Sequence, residues 1–167
     1  MNRTNTLNLL IRIPEQTLSV FKGEGETLIK HFPVSTAYLG AGEQKNSFKT
    51  PRGLHQIRAK IGAGALPNTV FVRRRPTGEI YSQELATRYP DRDWMLTRLL
   101  WLSGLEKGKN YLGKTNTFSR YIYIHGCPDT SLMGEPLSHG CIRMRNHDII
   151  ELFDWVVPGT RVLIIDE

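Results

Sequence analysis

Long apolar runs are missing from this 167-residue chain, and cysteine nearly so, with two residues. No segment approaches the ~20 consecutive apolar residues that cross a bilayer as a helix, so membrane insertion is not expected. The apolar stretch nearest the start, Leu7 to Ile13, is interrupted by Asn8 and Arg12 and stopped by Pro14. It lacks the length and the small-residue cleavage site of a signal segment and reads as a first strand, which leads to the expectation of a cytoplasmic protein. Internal repeats and low-complexity tracts are also absent, which excludes solenoids and arrays. At 167 residues the chain suffices for one well-buried core and is too short for two ordinary domains, so one domain over 1–167 is expected. Acidic residues are the minority charge, 16 against 22 Lys and Arg, for a net charge of +6. The only dense basic run, Arg73 to Arg75, adjoins the turn signal Pro76-Thr77-Gly78 and is expected as a solvated loop. No nucleic-acid-binding module is recognisable, so no nucleic-acid partner is expected.

Both cysteines sit beside glycine and histidine, as His125-Gly126-Cys127 and His139-Gly140-Cys141. A thiol is only a few per cent ionised near neutral pH, so a nucleophilic cysteine needs a neighbouring base. His125 suits that role. The alternating run Tyr121, Ile122, Tyr123, Ile124 delivers it rigidly at a strand end, and Gly126 lets another chain approach closely. Around Cys141, Gly140 has backbone freedom that can aim the amides of Gly140 and Cys141 at one oxygen, as an oxyanion site requires. Arg143 shares a face with Cys141 if the segment is extended, and its planar guanidinium can hold a substrate carboxylate by two parallel hydrogen bonds. The pattern is that of cysteine-based acyl transfer, which needs no cofactor.

The same residues admit a rival reading, because His125, Cys127, His139 and Cys141 are all of types that bind zinc tetrahedrally. The one-residue gap inside each pair suits a strand more than a zinc knuckle. Cys127 taken alone reads as a small buried hydrophobe, and a Cys127–Cys141 disulfide would silence the nucleophile. His31, His55 and His147 lack comparable partners and read as surface or packing residues.

Ile124-His125-Gly126 and the block from Ser138 to Met144 together resemble the L,D-transpeptidase catalytic domain family, also called YkuD-like. The resemblance extends to Gln16–Phe21 as a first hairpin, Phe32–Thr36 as the next strand and Thr50-Pro51-Arg52-Gly53 as a turn, and so covers nearly the whole chain. It implies a covalent mechanism on peptidoglycan stem peptides. Cys141 would be the nucleophile and His125 the base and acid, oriented by the Gly126 carbonyl. Ser138, His139 and Gly140 would shape the pocket, with Arg143 nearby. The implied partner is a tetrapeptide or muropeptide, cleaved between diaminopimelate and terminal D-alanine. Water as acceptor makes an L,D-carboxypeptidase, which the expected compartment favours; an amine makes a cross-linking or D-amino-acid-exchanging transpeptidase. Where the family most often has threonine after His-Gly, this chain has Cys127.

Strand-like runs at Leu7–Ile13, Thr17–Phe21, Leu28–Val34, Leu54–Ile61, Thr69–Arg73, Arg120–Ile124 and Arg161–Ile165 predict a mainly β sandwich or barrel with one or two short helices. Met95 to Leu102 is dense enough in apolar residues for helix or buried strand, and the resemblance favours strand. A helix is expected after Asn146 as N-cap, with Ile149, Ile150, Phe153, Val156 and Val157 as its apolar stripe. Tyr81, Tyr89, Trp94 and Tyr111 read as packing.

Overall fold

The computed structural model describes residues 5–24 and 26–167. Among them the chain forms β1 (Leu7–Arg12), β2 (Thr17–Lys22), β3 (Thr27–Pro33), β4 (Gly53–Ile61), β5 (Thr69–Val72), β6 (Arg75–Ile80), α1 (Gln83–Arg88), β7 (Met95–Gly104), β8 (Tyr123–Gly126), β9 (Ile142–Met144), α2 (Asn146–Trp155) and β10 (Arg161–Ile165). Short 3-10 turns lie at Gly113–Thr115 and Phe118–Arg120. The fold is mainly β. All the strands join one hydrogen-bonded sheet in the order β3-β2-β1-β10-β4-β7-β5-β6, with β8 attached to β7 and β9 to β8.

Alternation explains the outer strands. In β10, Val162 and Ile164 are buried while Arg161 and Leu163 face solvent, and in β1 Leu9 and Ile11 enter the same core. β7 is different: Leu96, Leu99, Leu100 and Leu102 are all fully buried. Its edges pair with β4, β5 and β8, α2 packs across it, Leu100 and Leu102 join the main core and Leu99 joins a second cluster with Phe71 and Tyr123, so both faces are covered and the apolar run is continuous.

A bulge in β7 determines what stands opposite the histidine strand. The register passes from Leu96↔Gly126 to Leu99↔His125, and Thr97, a β-branched residue, takes φ 76°. Side-chain bonds hold that strained turn. Thr97 Oγ1 donates to Asn146 Oδ1 (2.6 Å) and accepts from the Asn68 amide (3.0 Å). Asn146 Nδ2 in turn donates to Asn68 Oδ1 (2.9 Å) and Asp129 Oδ1 (3.2 Å). A Cβ on Gly126 would lie 2.5 Å from both Asn146 Oδ1 and Leu96 O, so only glycine fits there.

That network corrects the expected cap. The N-cap of α2 is Arg145, without a side-chain cap bond, and Asn146 is the first helical residue with its amide committed to the bulge. The stripe also shifts by part of a turn: Ile149, Leu152, Phe153 and Val156 are buried, while Val157 is exposed. β8 starts at Tyr123 rather than Arg120, because the Arg120 guanidinium turns inward to donate to Gly42 O, Glu43 O and Lys49 O. β6, α1 and β9 were not anticipated. β6 exposes nearly every position and contains Pro76 and Gly78, α1 buries no residue, and β9 spans three residues, too few for a pattern.

His55 is buried in β4, a packing histidine as expected. Its Nδ1–H donates to Gly53 O (2.9 Å), and Nε2 accepts from Thr117 Oγ1 (2.9 Å). Burial pushes its pKa down to about 4 from the ordinary 6.5. The unfolded chain therefore binds this proton first, and stability is lost as pH falls from 6.5 through 4, by about 3 kcal/mol when complete. Urea titrations at stepped pH should show this loss in the wild type and a flatter profile in His55→Gln; parallel profiles would refute the assignment.

Candidate active site

β8 and β9 run side by side in parallel, with Ile124↔Ile142, His125↔Arg143 and Gly126↔Met144 in register. Alternation buries Ile124, Ile142 and Met144 on one face and puts Tyr123, His125, Cys141 and Arg143 together on the other. Cys141 stands at the level of Tyr123, whose amide donates to its Sγ (3.4 Å), and it is partly exposed. Strand register thus puts the histidine strand end and the cysteine on the same face of β8 and β9.

The turn into Cys141 is built by three residues. Gly140 takes φ +131°, and a Cβ there would crowd Ile122 and the Lys49 carbonyl at 3.3 and 3.4 Å. Ser138 Oγ donates to Cys141 O and accepts from the Gly140 amide (3.2 Å). Thr50 Oγ1 donates to Gly140 O (2.9 Å) and accepts from the Ala37 amide (3.0 Å), so the threonine of the Thr-Pro turn clamps the cysteine loop. One expectation is corrected here. The Gly140 amide is engaged by Ser138 and is not aimed outward with that of Cys141; the amide directed at the sulfur is that of Tyr123.

His125 is fully buried, and its Nδ1 lies 2.6 Å from Gly126 O. A carbonyl only accepts, so the proton is on Nδ1 and Nε2 carries the lone pair. That Nε2 is buried with no hydrogen-bond partner among the described residues, a costly condition for a polar atom. Burial holds the imidazole pKa below its ordinary value, with Asp93 and the Gly126 carbonyl opposing. Burial likewise pushes the Cys141 thiol up to about 12, against the Tyr123 amide and the Arg143 and Arg120 guanidiniums. The resting pair is therefore a neutral thiol and a neutral imidazole.

A cavity of about 340 Å³ is lined by Asp93, Trp94, Cys127, His139 and Arg143 among others, and so shares Arg143 with the face that carries Cys141 and His125. Arg143 Nη2 lies 3.2 Å from Asp93 Oδ1, and His139 Nδ1 lies 3.8 Å from Asp93 Oδ2. Asp93 was missed in the sequence, where nothing in Pro90 to Trp94 marks it as a site residue. Cys127 is buried, donates to Met144 O (3.3 Å), and burial pushes its pKa up to about 11, matching the inert reading. The zinc grouping does not form: His125 Nδ1 bonds Gly126 O, and among the described residues no group of three or more His, Cys, Asp and Glu is placed to hold a metal.

The basic run is not uniformly solvated. Arg74 donates to Tyr123 Oη (3.0 Å) and lies over the rings of Trp101 (4.7 Å) and Tyr121 (4.8 Å), bracing the strand whose amide meets Cys141. Trp94 packs edge-on against Tyr81 at 5.1 Å, as expected of packing aromatics.

Comparison with known proteins agrees with this fold. The family model of the L,D-transpeptidase catalytic domain, YkuD, matches residues 8–164. The YkuD protein of Bacillus subtilis is 31% identical over 110 residues, 66% of this chain and 65% of that protein. The YbiS protein of Escherichia coli is 50% identical over 48 residues, 29% of this chain and 16% of that protein. L,D-transpeptidase 3 from Mycobacterium tuberculosis shares the fold, with a TM-score of 0.58 at 16% identity over 96% of this chain and 61% of that one. The chain thus spans no more than 65% of the length of these three relatives. With a family match running almost end to end, the chain belongs to the L,D-transpeptidase catalytic domain family, YkuD.

Proposed function

We propose that this chain cleaves the bond between diaminopimelate and the terminal D-alanine of a peptidoglycan tetrapeptide through a thioester on Cys141, and that water then takes the acyl group, as in an L,D-carboxypeptidase acting on muropeptides. The observation that carries the reading is the single face shared by Cys141, His125 and Arg143, with the unpartnered Nε2 of His125 on it. Sγ attacks the carbonyl carbon as its proton passes to Nε2, and the Gly126 carbonyl steadies the imidazolium that forms. Collapse of the tetrahedral intermediate expels the D-alanine amine, which takes the proton from Nε2. In the second half, water attacks the thioester, Nε2 accepts its proton, and the departing thiolate takes that proton back. Cys141 is partly exposed, so an acceptor arriving from solution can reach the thioester.

The test is mass spectrometry of products from a disaccharide tetrapeptide incubated with the protein and a free D-amino acid. Tripeptide as the only product is expected. Exchanged or dimeric products would assign a transpeptidase instead, and intact tetrapeptide would refute both.

A further inference from the structure

The cavity that Arg143 lines, two residues along the chain from Cys141, also holds Asp93, and the acyl-transfer steps themselves assign no task to this ion pair. Asp93 Oδ1 stands 3.2 Å from Arg143 Nη2, with the two side chains 36% and 17% exposed. Asp93 is presented by a braced segment. Its neighbour Arg92 bonds Glu79 at 2.8 Å and lies over the rings of Tyr89 (4.2 Å) and Trp94 (4.9 Å). Arg92 and its charge are thereby engaged, Asp91 is exposed, and His139 approaches only the second oxygen of Asp93. An arginine meant simply to grip a carboxylate would be poorly served by a carboxylate of its own chain already upon it.

A cation and an anion side by side complement a group that carries both signs. We propose that Asp93 and Arg143 together read an α-amino acid head group, ammonium and carboxylate on one carbon, borne on the donor side chain whose acyl group Cys141 takes; this rests on the acyl-transfer reading above. An ion pair this open to solvent contributes little by itself, so parting its members costs little, and each then meets an opposite charge on the ligand. A ligand with only a carboxylate must displace Asp93 and leaves it facing a like charge, and one with only an ammonium meets Arg143 in the same way. The ammonium held by Asp93 is a spectator. An acceptor amine must be unprotonated to attack, and the nitrogen of the departing D-alanine is an amide, so neither is the group read. The volume of about 340 Å³ accommodates such a head group.

The test uses three tetrapeptides whose third side chain ends in ammonium plus carboxylate (diaminopimelate), carboxylate alone (α-aminopimelate) or ammonium alone (lysine). Their affinities are measured by calorimetry for the Cys141→Ala protein with and without Asp93→Asn. The zwitterionic peptide should bind tightest, and Asp93→Asn should weaken it roughly ten- to hundredfold, the value of a hydrogen bond to a charged group, while tightening the carboxylate-only peptide. Equal affinity for the zwitterionic and carboxylate-only peptides, no binding of any, or tighter zwitterion binding by Asp93→Asn would overturn the proposal, the last making Asp93 a mere competitor. Turnover by the unmodified protein is scored separately. Preference without turnover refutes the acyl-transfer reading alone, and turnover without preference refutes this inference alone.

Discussion

Cys141→Ala is expected to lower turnover of the disaccharide tetrapeptide by about four orders of magnitude or more, the scale seen when a covalent nucleophile is removed. The fold should not suffer. Cys141 is partly exposed, its sulfur makes only long contacts with the Tyr123 amide (3.4 Å) and the Tyr121 carbonyl (3.5 Å), and its backbone is held by Ser138. A thermal unfolding midpoint within a few degrees of wild type is therefore expected, since small exposed truncations change stability little. Steady-state rates and a thermal melt on the same preparation check both halves. Full activity in the variant would remove Cys141 from the mechanism, and loss of the cooperative melt would make it a structural residue.

Replacing His125 by alanine should cost roughly a hundred- to ten-thousandfold in rate, the range of a positioned general base. The wild-type pH profile carries more detail, and its sign follows from which form works. The reaction needs neutral His125, so activity is present above the imidazole pKa and lost as pH falls through it. Burial places that pKa below its ordinary 6.5, so the acid limb should lie below pH 6.5. On the alkaline side the thiol, pushed up to about 12, leaves no thiolate plateau near neutrality, and alkylation of Cys141 by iodoacetamide should still be rising beyond pH 9. Alkylation already maximal near pH 6 would mean a preformed thiolate–imidazolium pair and would contradict the neutral pair.

Much of the site was legible because its chemistry is local in sequence. His125 with Gly126, and Ser138 through Arg143, each form one short segment, and the residue types alone suggest base, turn, thiol and anion holder. Their juxtaposition rests on the parallel pairing of β8 with β9, and a three-residue strand has no periodicity to announce it. Longer-range contacts were invisible for the same reason. Asp93 meets Arg143 across fifty positions, and Thr50 meets Gly140 across ninety. Asn146 and Gly140 were misassigned because each was given its commonest local role, a cap and an outward amide, where tertiary partners claimed the group instead. β1, β2 and β10 were legible because each buries one face, whereas β6 hides in the sequence because it buries almost nothing.

Intact-mass analysis of the protein quenched in acid during turnover of the disaccharide tetrapeptide tests the proposed thioester most directly. A mass gain equal to the substrate less D-alanine, located by digestion on the peptide containing Cys141 and absent from Cys141→Ala, is the expected result. Product formation with an adduct on Cys127, or with turnover undiminished in Cys141→Ala, would contradict it.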